Sequence, residues 1–205
     1  MTMQTEAEVD FALEELPMPL TLRLRSPMSE DDRLRFCSAN RGYQIEMEPD
    51  GSLRIDEPKG PRYSRAVVIL ASELFTWAEQ DGRGKSFPDV GVYLPDGSMR
   101  SPGVAWLSLE KWQNILQEDR DRFLRVLPEF VAEIRCHTDA EEGVRLRMKR
   151  WIDAGVQLAW LIDPLRKLAM IYRPGREPET LLQPELLNGE GPIAGFTLKM
   201  QRLWE

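Results

Sequence analysis

Histidine and cysteine are scarce in this chain of 205 residues, which carries one histidine and two cysteines. Cys37 and Cys136 lie far apart, and neither belongs to a CxxC pair or a Cys/His cluster. The sequence therefore argues against a disulfide framework and a structural zinc site. With His137 as the single imidazole, catalytic triads and histidine-rich metal sites have almost nothing to build on. This cysteine usage suits a reducing compartment, and we expect a cytoplasmic protein.

Long apolar runs and nucleotide-binding loops are also missing. No stretch approaches the ~20 apolar residues of a membrane span, and the acidic N-terminal segment has no basic region followed by an apolar core. We therefore expect no membrane association. The Gly-Arg-Gly-Lys segment at 82–85 lacks the spacing of a P-loop, and no Rossmann fingerprint follows a predicted strand. Nucleotide cofactors are not supported.

Length and charge limit what remains. With 205 residues, of which 42% are hydrophobic, the chain is long enough for one well-buried domain. We predict this domain at residues 28–205, after a partly flexible N-terminal arm at residues 1–27. The net charge of -7 argues against nucleic-acid binding through bulk electrostatics. A local basic strip at 145–150 could meet phosphates, although such a strip is usually a solvated helix face.

Hydrophobic periodicity predicts a mixture of strands and helices. Alternation on both sides of Asp50-Gly51 predicts a hairpin, and apolar residues at helical spacing predict a helix from about 61 to Gln80. Two strands are expected at 87–94 and 98–107, joined by the turn at Pro95-Asp96-Gly97. Together these elements predict an α/β (α+β) fold with a mixed β-sheet flanked by helices.

The segment 128–164 combines an apolar strand, a basic helix and a second apolar strand. Glu133 interrupts the first strand, and a carboxylate in a buried strand must be paired or hold a cation. It is either a ligand of a divalent metal or a partner in a salt bridge with Arg135 or with a cation of a neighbouring strand. Lys149, at the margin of the apolar face of the helix, either reaches the same site or forms an i, i+4 pair with Asp153.

Many landmarks in one order are similar to those of a known family. They are the hairpin at 45–51, the helix that ends in Leu74 and Trp77, and the segments 94–97, 100–102, 104–106, 130–134, 155–156, 160–164, 171–175 and 195–196. The chain resembles the Uma family of restriction endonuclease-like proteins, built on the PD-(D/E)xK nuclease fold, over roughly residues 29–204. This resemblance implies a restriction-endonuclease-like fold, DNA as partner, Mg²⁺ or Mn²⁺ as cofactor and hydrolysis of phosphodiesters.

One departure from the family pattern changes the expected function. The family has a metal-binding aspartate after Arg-Ser-Pro, where this chain has Gly103. By the resemblance, Glu133 is the second metal ligand, Arg135 occupies the place of the motif lysine, and Lys149 is a candidate for a displaced catalytic lysine. Glu46 is the most plausible surviving second acid.

The resulting expectation is a degraded metal site with weak or no cleavage. The alternatives are an active Mg²⁺-dependent endonuclease in which Glu46 compensates, and a non-catalytic binding or assembly module. Pro88-Asp89 looks like the PD motif but lies on the preceding strand, so we interpret it as a coincidence. A homodimer is also expected.

Overall fold

The computed structural model describes residues 16–204. Residues 1–15, most of the segment predicted to be flexible, lie outside the described residues. The described part of the predicted arm contains a strand that pairs with the domain.

The strands are β1 (Leu20–Leu22), β2 (Gln44–Met47), β3 (Leu53–Asp56), β4 (Gly84–Pro88), β5 (Val92–Tyr93), β6 (Met99–Arg100), β7 (Val104–Ser108), β8 (Phe130–Ile134), β9 (Leu158–Asp163), β10 (Leu168–Tyr172), β11 (Glu179–Leu182), β12 (Leu186–Asn188) and β13 (Thr197–Lys199). The α-helices are α1 (Glu30–Ala39), α2 (Pro61–Asp81), α3 (Leu109–Gln113) and α4 (Glu141–Ala154).

Local chemistry explains several of the helix ends. The side chain of Ser29 caps α1 by accepting a hydrogen bond from the backbone N–H of Asp32 at 3.1 Å. Pro61 occupies the first turn of α2, where no N–H is needed. Gly82 and Gly155 end α2 and α4 in the left-handed conformation, at φ of 75° and 113°.

The central element is a six-stranded sheet with the order β11-β10-β9-β8-β7-β4. Strands β8 and β9 are parallel, and α4 makes the crossover between them. The other neighbours in this sheet are antiparallel. The mixed sheet and the strand-helix-strand unit predicted from the sequence are therefore confirmed.

The two long strands predicted at 87–94 and 98–107 are wrong as continuous elements. Each is broken in the middle, so that β4 and β7 pair in the six-stranded sheet, whereas β5 and β6 pair in a five-stranded sheet with the order β1-β3-β2-β6-β5. Asp89, at φ 54°, lies in the first break, and Pro102 and Gly103 lie in the second. Proline cannot donate to a ladder, and a left-handed residue turns the strand, so the hairpin passes from one sheet to the other.

Helices pack on both faces of the six-stranded sheet. One face buries Leu70 and Leu74 of α2 against residues such as Phe130 and Trp160. The other face buries Met148 and Trp151 of α4 against residues that include Val131, Ala159 and Leu161. Since side chains alternate along a strand, Glu133 shares the α4 face with Val131. This places its carboxylate under α4.

Within residues 16–204, no helix combines the length and the apolar character needed to cross a membrane.

Two glycines in this framework should respond oppositely to the same substitution. A Cβ at Gly84 would clash with the indole of Trp106 and lie 2.5 Å from the backbone oxygen of Leu107, whereas a Cβ at Gly143 in α4 meets nothing within 4 Å. We expect Gly84→Ala to lower the free energy of unfolding by about 1–3 kcal/mol. The control Gly143→Ala should raise it by about 0.5–1 kcal/mol, because alanine loses less entropy in a helix. Urea unfolding of both variants checks this, and equal changes would contradict the packing described for β4.

Candidate functional site

Glu133 is a buried carboxylate with two partners on α4. Only 2% of the Glu133 residue is exposed to solvent. The indole Nε1–H of Trp151 donates a hydrogen bond to Oε1 at 3.1 Å, and Nη1 of Arg147 lies 3.9 Å from Oε2. The pKa of Glu133 is raised from 4.5 to about 7. Burial is the main cause and the negative charges of Glu46 and Asp139 act in the same direction, whereas the charge of Arg147 and the hydrogen bond from Trp151 lower the pKa.

Glu46 brings a second buried carboxylate from the neighbouring sheet. Nη1 of Arg100 donates to its Oε2 at 3.2 Å, and the backbone N–H of Ser101 donates to its Oε1 at 3.4 Å. Arg100, which is itself buried, also holds Glu48 with two hydrogen bonds of 2.6 and 3.0 Å. These hydrogen bonds and that charge lower the pKa of Glu48 against its partial burial. The buried Arg100 thus donates hydrogen bonds both to Glu46 in β2 and to Glu48, the residue that follows β2.

A cavity of about 380 Å³ opens between these acids and α4. Its lining is strongly charged and carries equal numbers of acidic and basic side chains, five of each. The acids are Glu46, Glu48, Asp56, Glu57 and Asp139, and the bases are Arg54, Lys59, Arg100, Arg147 and Arg150. The cavity is therefore polar and close to neutral overall.

Arg147 is the cation closest to Glu133, and the sequence reasoning missed it. Its side chain is 16% exposed. Burial opposes its charge, but the carboxylates of Glu133, Glu46, Asp139 and Asp56 together hold its pKa above the ordinary value. The signal was present in the sequence, because position 147 falls within the i, i+3, i+4, i+7 stripe formed by the buried residues at 144, 148 and 151.

Lys59 and Asp139 form a further pair that sequence reasoning missed. Lys59 Nζ lies 2.9 Å from Asp139 Oδ1, and both side chains are nearly buried. The backbone N–H of Cys136 donates to Asp139 Oδ2 at 2.7 Å, which fixes the carboxylate at the end of β8. No sequence pattern joins positions 59 and 139, since the contact exists only once α2 and β8 are packed together.

Lys149 and Arg135 do not contact Glu133. Lys149 is 67% exposed and its Nζ lies 2.8 Å from Asp153 Oδ2, the i, i+4 pair that was the alternative interpretation. Because each residue of an α-helix is rotated by about 100° from the one before, Lys149 lies about 200° around the axis of α4 from Arg147. The two side chains therefore lie on nearly opposite sides of the helix. Arg135 donates to Asp163 Oδ2 at 2.7 Å and to the backbone oxygen of Asp139 at 3.2 Å. The salt bridge between Glu133 and Arg135, one of the alternatives that the sequence left open, is therefore wrong.

Gly103 lies against the strand that carries Glu133. A Cβ at this position would be 3.1 Å from the backbone oxygen of Ala132, 3.8 Å from Oη of Tyr63 and 3.9 Å from the backbone nitrogen of Ile134. These contacts flank the Glu133 peptide. The nearby Asp89 donates its backbone N–H to the Gly103 oxygen at 3.4 Å, and partial desolvation raises the pKa of its carboxyl.

These residues fit a divalent metal poorly. Within residues 16–204, no three His, Cys, Asp or Glu side chains converge as metal ligands would. The two central carboxylates already face guanidinium groups, Glu133 that of Arg147 and Glu46 that of Arg100. Hard divalent cations need several oxygen ligands free to point at one centre. The arrangement instead neutralises the acids with arginines.

Comparisons with known proteins agree with this fold. A family model described as "Putative restriction endonuclease" (Uma2) matches residues 30–201. A crystal structure from Anabaena variabilis, described as "a putative nuclease belonging to DUF820", is 19% identical, covers 87% of this chain and 98% of its own, and has a TM-score of 0.69. The chain thus has the fold of that protein.

A cryo-electron microscopy structure of a DrdV–DNA complex is 12% identical and covers 60% of this chain and 11% of its own. Its TM-score of 0.37 does not indicate a shared overall fold. No curated protein matches the chain.

The raised pKa of Glu133 predicts a pH dependence of stability. The native state keeps the proton up to about pH 7, whereas the unfolded chain releases it near 4.5. Between these values the unfolded state binds fewer protons, so stability falls as the pH rises, by about 3 kcal/mol for this group. Glu133→Gln should remove this decrease, as measured by urea unfolding below pH 4.5 and above pH 7. Glu118→Gln at an exposed glutamate is the control, and a native slope that survives in Glu133→Gln would contradict the prediction.

Proposed function

Because the chain belongs to the Uma2 family, we propose that it is a restriction-endonuclease-like DNA-binding protein with a degraded metal site and weak or absent cleavage. The observation that carries the proposal is Gly103. This position flanks Glu133 and offers no side-chain oxygen to the site. A nuclease centre that depends on a divalent ion needs carboxylates that converge on it, and here one of them is missing.

The partners of the remaining acids support the same proposal. Glu133 is held by Trp151 and faces Arg147, and Glu46 is held by Arg100 and a backbone N–H. A cation arriving at either carboxylate would have to compete with a guanidinium that is already in place. Replacing a buried ion pair in this way is costly, because the displaced arginine would lose its compensation.

A specific observation favours a second candidate, a Mg²⁺-dependent endonuclease in which Glu46 takes the part of the missing acid. Glu46 and Glu133 come from different sheets, both are buried, and the charge of Glu46 raises the pKa of Glu133. Two acids that repel each other across a cleft are a common feature of catalytic sites. In this candidate Arg147 is better placed beside Glu133 than Lys149 or Arg135, the cations expected from the sequence.

The other expectations from the sequence stay predictions. They are the domain boundary near residue 28, a cytoplasmic location and a homodimer. A binding or assembly role without catalysis is compatible with the first proposal, because a nuclease fold does not by itself establish hydrolysis.

Restoring the acid should restore cleavage. We expect plasmid DNA with Mn²⁺ to be cut at least about tenfold faster by Gly103→Asp than by the native chain, the scale on which altered metal surroundings change activity. Gly103→Asn makes the same 3.1 Å approach to the Ala132 oxygen without the negative charge and is the steric control. Adding Glu133→Ala to Gly103→Asp should abolish the gain. Robust cleavage by the native chain that Glu133→Ala removes would refute the degraded site and favour the second candidate.

Metal binding gives an independent measurement. Calorimetric titration with Mn²⁺ should show no saturable binding to the native chain and clear binding to Gly103→Asp, since the added carboxylate supplies the missing ligand. Saturable binding to the native chain that disappears in Glu46→Gln would support compensation by Glu46.

A further inference from the structure

The five basic residues of the cavity divide into two groups. Three of them donate hydrogen bonds to carboxylates at ordinary distances: Arg54 to Asp56 at 2.9 Å, Lys59 to Asp139 at 2.9 Å and Arg100 to Glu48 at 2.6 Å. Arg147 and Arg150 make no hydrogen bond within the described part of the chain. Their contacts are looser, at 3.9 Å from Nη1 of Arg147 to Glu133 Oε2 and 3.7 Å from Nη1 of Arg150 to Glu48 Oε2.

Arg147 and Arg150 lie on one side of α4. Residues three apart on a helix are neighbours on its surface, and both side chains line the same cavity. Arg147 lies deep, at 16% exposure, and Arg150 lies nearer the mouth, at 44% exposure. Each guanidinium has five N–H donors. At 3.7–3.9 Å from the nearest carboxylate oxygens, these donors make no hydrogen bonds to the carboxylates. One wall of the cavity thus carries the guanidinium donors of Arg147 in its interior and those of Arg150 near its mouth.

We propose that Arg147 and Arg150 form a phosphate-binding pair that acts without a divalent cation. This inference rests on the proposed function and deepens it, because the ligand is a backbone phosphate of DNA that enters the cavity. Guanidinium groups bind phosphate oxygens in a bidentate manner, and such charge-assisted hydrogen bonds are stronger than neutral ones. The positive charge of Arg147 also offsets the negative charges of Glu133 and Glu46, as a bound metal ion would.

The charges of the cavity are compatible with an anion. Glu48, Asp56 and Asp139 are each hydrogen-bonded to a base, so they are neutralised locally. Glu46 shares the buried guanidinium of Arg100. Glu57 is the one lining acid that forms no ion pair within residues 16–204, and its residue is exposed to solvent. A phosphate that approaches Arg147 and Arg150 therefore meets two cations that make no hydrogen bonds in the described part of the chain, with Glu57 as the one lining acid left without a basic partner.

The test is binding of a fluorescently labelled DNA duplex in the presence of EDTA, measured by anisotropy at several salt concentrations. Arg150→Ala and Arg147→Lys should each weaken binding by about tenfold, the scale of a lost charge-assisted hydrogen bond. Arg150→Ala should also reduce the salt slope by about one, because one phosphate contact is lost. The control Arg145→Ala removes the same charge from the same helix, where Arg145 pairs with Glu141, and should change affinity less than twofold.

The outcomes separate this inference from the proposed function. If EDTA abolishes binding and Mg²⁺ restores it, or if Arg145→Ala weakens binding as much as Arg150→Ala, the phosphate pair is refuted while DNA binding stands. If the native chain binds no duplex, the proposed function fails. In that case calorimetry with pyrophosphate in EDTA decides: binding that Arg150→Ala weakens supports the pair with a free phosphate as ligand, and no binding refutes it. Melting temperatures show whether Arg147→Lys, which touches the environment of Glu133, remains folded.

Discussion

The carboxylate of Glu133, buried in β8 under α4, is the constraint to which the cleft is adjusted. A charge in this position is unfavourable unless a donor and a cation accompany it. Trp151 supplies the donor and Arg147 the cation, and both come from the helix that covers the strand. These two contacts with Glu133 therefore fix the position of α4 on β8. Even so, burial outweighs both, and the pKa of Glu133 stays near 7.

The second constraint is the passage of the chain between its two sheets. Strands β4 and β5, and likewise β6 and β7, belong to different sheets because the hairpin turns at Asp89 and at Pro102-Gly103. The turn brings Arg100, at the end of β6, beneath Glu46 of β2, and brings Gly103 against β8. The junction of the two sheets is thus the place where acids from β2 and β8 approach each other. A continuous hairpin would have kept Glu46 and Glu133 apart.

Local patterns in the sequence were sufficient for several of the elements but not for the contacts between them. The Asp50-Gly51 hairpin, α2 and the strand-helix-strand unit follow from periodicity and turn chemistry, and all three are present. Glu133 stood out because a charge interrupted an apolar run. The sequence offered Arg135 or a cation of a neighbouring strand as its partner, whereas the cation that contacts it, Arg147, comes from α4. Arg100 lies 54 residues from Glu46, and only the folded sheet shows that they pair. Helical spacing alone favoured Arg147 over Lys149, and a family resemblance outweighed it.

The charges of the cavity relate the glycine at position 103 to Arg147 and Arg150, which make no hydrogen bonds within residues 16–204. The lining already contains five acids and five bases, with Glu133 behind it. An aspartate at position 103 would add a negative charge beside Glu133 and make a divalent cation the natural counter-ion. Without that aspartate, Arg147 is enough to compensate the buried carboxylates, and a divalent cation would leave the cavity positively charged. In the function we propose, the absence of one acid changes the preferred counter-ion from a metal to a guanidinium. A guanidinium can bind phosphate, so the proposed DNA binding does not require DNA cleavage.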